Sequence, residues 1–257
     1  MDASQRPEMT EHQKQQLQFQ LFQDSLPKVN EIVYRMLLNE AIPMAVNVQD
    51  RLSEESGGHE DNETEQGLEQ DLDAKLTFDP LKDHVPSHKL LQKYLTADEE
   101  YQNKVDERLN NIGFLLGQKL SQLLIFSNNP SLNFRDMDLL AVMKFVCRDV
   151  WRQLFGKQID NLKTNHRGTF YLLDNNYKPV ESFALDEDMS QEEQTLIEPY
   201  LEIPCGVIRG VLDSLGFQEK GQVICTASIT SDRESQKTGS SASSRAVLFN
   251  VQINPDR

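Results

Sequence analysis

The chain has 257 residues, enough for one large domain or two small ones with a core that needs neither disulfides nor metals. Its net charge of −15 argues against a nucleic-acid or anionic-lipid partner recognised through bulk electrostatics, since both need a basic surface and no basic cluster interrupts the acidity. Cys147, Cys205 and Cys225 are odd in number and widely spaced, which predicts free thiols in a reducing compartment. The N-terminal stretch lacks an apolar signal-peptide core, and no run approaches the roughly 18 apolar residues of a membrane span. The expectation is a soluble, cytoplasmic protein.

In chain order, residues 1–20 form a polar, Gln-rich arm, and 21–257 are expected to make a single domain. From Leu21 an amphipathic helix is predicted, with Phe22, Leu26, Val29, Ile32, Val33, Met36 and Leu37 on one stripe. Pro27 suits a first turn and Pro43 predicts a kink or break. Residues 53–73 hold nine carboxylates and no Lys or Arg; without them the net charge falls from −15 to −6, so the block reads as a disordered insertion. Residues 74–94 are ambiguous around Pro80 and Pro86.

A second helix is predicted over 97–126, with Tyr101, Val105, Leu109, Ile112, Leu116, Leu120 and Leu123 at helical spacing and a capping box from Thr96 to Glu99. A third runs from about Asp136 to Phe155 on the stripe Leu139, Val142, Met143, Val146, Cys147, Val150 and Leu154. The last third changes period. Asn165-His166-Arg167-Gly168 marks a hairpin, residues 204–215 a short helix closed by Gly216, and 223–229 and 247–253 alternate as strands around a Ser-rich loop at 230–244. Helices followed by antiparallel strands give an α+β fold, a helical layer packed on a sheet.

Catalytic chemistry finds little support. His84 and His88 have metal-ligand spacing, but Pro86 between them breaks the helix that would aim both rings one way. Cys147 with His166 could make a thiol–imidazole dyad, yet Cys147 lies on an apolar stripe, where cysteine behaves as a small hydrophobe. Gly206-x-x-x-Gly210 lacks the Lys-Ser/Thr ending of a phosphate loop and more simply lets a neighbouring helix approach closely. The residues predict no enzyme, no cofactor and no metal.

The helices are more informative. Tyr34, Leu38, Ala41 and Ala45 lie just outside the first helix's main stripe, and Phe114 and Ile125 lie opposite that of the second. Helices this apolar need two neighbours, either in one large core or across a chain-to-chain interface. The interface reading takes Tyr34, Leu37, Leu38, Ala41, Ala45, Ile112, Phe114 and Leu116 as partner-binding. It sets Phe22, Val29, Ile32 and Met36 toward the chain's own core and Leu38 toward the partner.

Four segments carry a family resemblance: NIGFLLGQKL from Asn111, DLLAVMKFVCRDVW from Asp138, GKQIDNLKTNHRGTFYLLD from Gly156 and PCGVIRGVLDSL from Pro204. With SLPKVNEIVYRMLLNEAIP, from Ser25, they resemble the Bet-three type small subunits of the transport protein particle (TRAPP), and within them the thirty-three-kilodalton branch; the acidic insertion looks fungal. The resemblance implies an α/β plait with helices on a four-stranded antiparallel sheet. It also implies a non-catalytic core subunit of a tether and guanine nucleotide exchange factor for Rab GTPases, in endoplasmic-reticulum-to-Golgi and intra-Golgi vesicle transport. The implied partners are the Bet-three subunit, joined as a heterodimer through the first two helices, and other TRAPP subunits. Rab GTPases and Golgi or ER-derived membranes are then reached indirectly, through the complex.

The Bet-three subunit itself carries an acylated cysteine before a Phe-Arg; here the stretch reads Asn129-Pro-Ser-Leu-Asn-Phe-Arg135, with no thiol to acylate. A module that binds an apolar small ligand or lipid is the alternative, because related folds house such ligands.

Overall fold

The protein is described from a computed structural model that defines residues 10, 11, 13, 14, 17, 18 and 21, and then 31–56, 85–128, 138–165, 167–180, 191–217, 221–230 and 246–255. Phe22, Leu26, Val29, most of the Gln-rich arm and of the acidic insertion, His84, Asn129–Arg135, His166 and nearly all of the Ser-rich loop lie outside the described residues.

Pro43 does not end the first helix, α1 (Glu31–Ser56), which continues through it and takes in the first residues of the acidic insertion. Proline removes one backbone hydrogen bond, and burial of Ile42, Ala45 and Val46 around the ring offsets that loss. Directly after Pro86 comes α2 (Ser87–Thr96). Extended Ala97 then separates it from α3 (Glu99–Asn128). The cap of α3 is Asp98 and not Thr96: the Asp98 carboxylate accepts the Tyr101 N–H at 2.8 Å. Thr96 instead donates back to the carbonyls of Gln92 and Lys93, so it belongs to the end of α2.

Asp138 starts the next rod by accepting the N–H groups of Leu140 and Ala141. The rod, α4, is α-helical over Leu139–Phe145, makes a π turn over Val146–Val150, and is α-helical again over Trp151–Phe155. The π turn rotates the faces, so Asp149 and Trp151, both off the predicted stripe, are buried beside Val146, Cys147 and Val150. Gly156, at φ 71°, closes α4 with its N–H on the Arg152 carbonyl.

The predicted hairpin joins β1 (Asn161–Thr164) to β2 (Thr169–Asp174). Asn165 forms the turn by accepting the N–H groups of Arg167 and Thr169 at 2.8 and 3.1 Å, with Gly168 at φ 86°. After α5 (Gln191–Ile197) and a 3-10 turn, α6 (Glu202–Ser214) ends in a Schellman motif: Gly216 donates to Asp213 and Phe217 to Leu212. Strands β3 (Gly221–Ile229) and β4 (Val247–Pro255) complete an antiparallel sheet of order β1-β2-β4-β3 among the described residues. Alternation holds as read: Val247, Phe249, Val251 and Ile253 point inward while Leu248, Asn250 and Gln252 are half-exposed. The architecture is the expected α+β plait, helices on one four-stranded sheet.

Two cores result. The larger lies between the sheet and α4 and α6, and also takes Leu120 and Leu124 from the end of α3. The smaller joins Leu38, Ala41, Ile42, Ala45 and Val46 of α1, Leu90 and Tyr94 of α2, Val105 and Leu109 of α3, and Tyr200. Within the larger core Trp151 packs on Phe155 (4.6 Å between ring centroids) and edge-on to Phe249 (5.1 Å). Its indole N–H donates at 2.8 Å to Asp174, a fully buried carboxylate that also binds the Lys157 ammonium and the Asn176 N–H. Trp151→Phe removes one hydrogen bond to this buried charge, and urea unfolding is expected to show a loss of about 2 kcal/mol.

Candidate functional site

The apolar surface of this molecule lies where the sequence placed its core. On α1, Ile32, Val33, Met36, Leu37 and Met44 are exposed, Leu37 by 66%. The opposite face, Leu38, Ala41, Ile42, Ala45, Val46 and Gln49, is buried against α2 and α3. The expected assignment of faces is therefore reversed for Leu38, Ala41 and Ala45, which the chain buries in its own core. The reason is Pro43: because the helix continues, Ile42, Val46 and Gln49 fix which side turns inward, and Leu38 lies on that side. Of the candidate partner-binding residues on α1, Leu37 is exposed and Tyr34 half-buried, its hydroxyl pKa pushed up to about 12 by burial.

On α3 the predicted stripe splits. Val105, Leu109 and Leu120 turn inward, whereas Ile112, Leu116 and Leu123 face solvent, together with Leu115 at 60% exposure. What turns the helix is glycine. A Cβ on Gly113 would lie 2.0 Å from the Ile203 carbonyl oxygen, and one on Gly117 2.2 Å from that of Val207. Reciprocally, a Cβ on Gly206 would meet the Asn110 oxygen and one on Gly210 the Phe114 oxygen, each at 2.0 Å. Two G-x-x-x-G pairs thus bring the α3 and α6 backbones into direct contact as the helices run the same way. Gly206 and Gly210 do what the close-approach reading assigned them; Gly113 and Gly117 were the missed half of the signal.

Polar pairs flank this crossing. Asn110 donates to Glu202 and accepts from Arg209, Gln118 donates to Asp213, and Arg209 lies over the half-buried Phe114 ring, 5.9 Å from its centroid. Phe114 is thereby partly covered by its own chain, whereas Ile112 and Leu116 remain open. At the start of the crossing the Asp106 carboxyl is raised to about 6, by burial first and also by Glu202 and Glu198, although the Tyr94 hydroxyl donates to it at 2.8 Å. Between pH 4 and 6 the folded chain keeps a proton that the unfolded chain has released, so this group's contribution to stability falls as pH rises and levels off above 6. Asp106→Asn is expected to flatten that part of the stability–pH curve, measured by urea unfolding at pH 4.5 and 7.

Cys147 and Cys205 are poor nucleophiles. Burial pushes Cys147 up to about 12, and a hydrogen bond with Cys225, added to burial, raises Cys205. His88 is exposed on α2, and among the described residues no three His, Cys, Asp or Glu side chains stand close enough together to hold a metal ion. No described helix is long and apolar enough to cross a membrane. The arrangement can bury apolar surface against another protein.

The sequence model of the transport protein particle (TRAPP) components matches residues 34–243 of this chain. The chain belongs to the TRAPP component family. Among its relatives, trafficking protein particle complex subunit 6B of Homo sapiens is 40% identical over 126 residues, which are 48% of this TRAPP chain and 70% of that protein. Subunit 6A of Homo sapiens is 39% identical over 123 residues, 47% of this chain and 68% of the other. A crystal structure of trafficking protein particle complex subunit 3 from Naegleria fowleri, covalently bound to palmitic acid, aligns at 14% identity with a TM-score of 0.45. That alignment covers 65% of this chain and 90% of the other. The exposed rows on α1 and α3 thus occur in a TRAPP chain whose matched relatives are named as subunits of a complex.

Proposed function

We propose that this chain is a non-catalytic core subunit of the TRAPP complex, of the subunit-six type in a fungal form, and that it pairs with a Bet-three-type subunit. The observation that carries the reading is the exposed apolar face of α1, Ile32, Val33, Met36, Leu37 and Met44, with Ile112, Leu115, Leu116 and Leu123 on α3. Contiguous apolar rows of this kind mark protein–protein contact surfaces. In that assembly the chain scaffolds a guanine nucleotide exchange factor for Rab GTPases in ER-to-Golgi and intra-Golgi transport. It reaches Golgi and ER-derived membranes only through the complex, and supplies no exchange chemistry itself.

The test is size exclusion with light scattering on this chain mixed with a Bet-three-type subunit. A one-to-one complex is the expected result; two peaks at the separate masses would remove the reading. The purified chain alone is expected to release no nucleotide from a Rab GTPase.

A further inference from the structure

Although the molecule is acidic overall, one of its helices presents a line of cations that the sequence hides by spacing them. On α4, Lys144, Arg148 and Arg152 are exposed, while residues 145–147 and 149–151 between them are buried. In a regular α-helix four residues advance about 400°, so such a row drifts about 40° at each step. The π turn at Val146–Val150 takes about one residue more per turn and offsets most of that drift, which places these three residues along one line of the rod at axial intervals of about 6 Å. Lys178 extends the line: its Nζ lies 3.8 Å from the position of a Cβ on Gly156, one helical step past Arg152.

Local counter-charges offset one of these four cations, Arg148, and leave the other three. Asp149 is 2% exposed and binds Arg148 from below, leaving the Arg148 side chain 65% exposed. Asp160 and Asp174 are both held by Lys157. Lys144, Arg152 and Lys178 have no ion-pair partner among the described residues.

We propose that this row is a docking site for an extended acidic segment of a partner protein. Every second residue of an extended chain repeats at about 6.6 Å, so carboxylates at alternate positions match the spacing of the cations. A single line of charge suits a linear polyanion better than the plane of a bilayer. None of the exposed large apolar side chains among the described residues lies on α4, so the row has nothing to insert into lipid. The far acidic surface is screened within a Debye length of about 8 Å at physiological salt, so the row acts locally despite the net charge. This inference uses a face separate from the apolar rows and stands or falls independently of them.

The test titrates the full chain into a dye-labelled peptide of alternating Glu and Ser and follows fluorescence anisotropy upward from a physiological ionic strength of about 0.15 M. Saturable binding is expected, weakened by salt and reduced about tenfold in Lys144→Gln/Arg152→Gln/Lys178→Gln. Arg148 is kept because it neutralises buried Asp149, and unchanged thermal unfolding of the triple variant confirms that its fold is intact. Lys144→Gln alone supplies a graded effect of about twofold should the triple variant unfold. Absent binding, or equal binding by the variants, overturns the proposal. So does binding seen only after residues 57–73 are deleted, which would make the chain's own acidic stretch the occupant. Binding to phosphatidylserine vesicles without binding to the peptide would replace the protein partner by a membrane and likewise sink it.

Discussion

Gly206→Ala is expected to lower stability by about 3 kcal/mol, although alanine is the better helix former by about 1 kcal/mol. The added methyl carbon would sit 2.0 Å from the backbone oxygen of Asn110, where no rotamer change can relieve the clash. The α3 and α6 backbones must separate, and separation also strains the reciprocal contacts at Gly113, Gly117 and Gly210. A loss of this size is a large share of the roughly 5–15 kcal/mol that holds a domain folded. Gly156→Ala provides the contrast: it has a positive φ, but the nearest atom is the end of a flexible lysine at 3.8 Å, so the cost is about 1 kcal/mol. Urea midpoints at constant m should rank the two in that order. The double variant Gly113→Ala/Gly206→Ala should cost less than the sum of its parts, because one displacement of the helices relieves both clashes. Equal effects for Gly156 and Gly206 would mean that the two helices are not in backbone contact.

Leu37→Glu and Leu38→Glu are expected to behave in opposite ways although they are neighbours. Leu37 is 66% exposed, so the free chain should keep its circular dichroism and its stability within about 0.5 kcal/mol, while pairing with a Bet-three-type subunit weakens by roughly a hundredfold. Leu38 is 7% exposed against Ala41, Ile42 and Ala45, and a carboxylate there is buried without a partner. That costs several kcal/mol, so the chain unfolds before any partner is added. Gel filtration and circular dichroism on both variants separate the faces. A folded Leu38→Glu chain that fails to pair would restore the face first expected from the sequence.

Local structure was legible to within a few residues wherever one periodicity or one residue type decides it. The alternation around Val247–Ile253, the Asn165–Gly168 turn and the Gly216 helix stop all stand as read, because each depends on neighbours in sequence. The π turn in α4 left no such mark. Its burial of Asp149 and Trp151 follows from how the rod meets Asp174 and Phe249, which come from elsewhere in the chain, and Phe155, which lies beyond the turn at the end of the rod. Part of the glycine crossing could have been found: Gly113-x-x-x-Gly117 has the same spacing as Gly206-x-x-x-Gly210, but a reading weighted by apolar bulk passes over residues without side chains.

By itself the sequence determined that α1 and α3 are apolar on more than one side, since composition and a 3.6-residue period fix how much of each helix needs cover. It could not determine which side receives that cover from the same chain. On α1 that choice rests on Ile42 just before, and Val46 and Gln49 beyond, a proline that fails to end the helix, and on α3 on glycines that admit α6 to touching distance. Both are decided by what packs where. Hydrophobic burial is non-directional, so two apolar faces of one helix are equivalent to it until tertiary packing selects one for the core and leaves the other exposed.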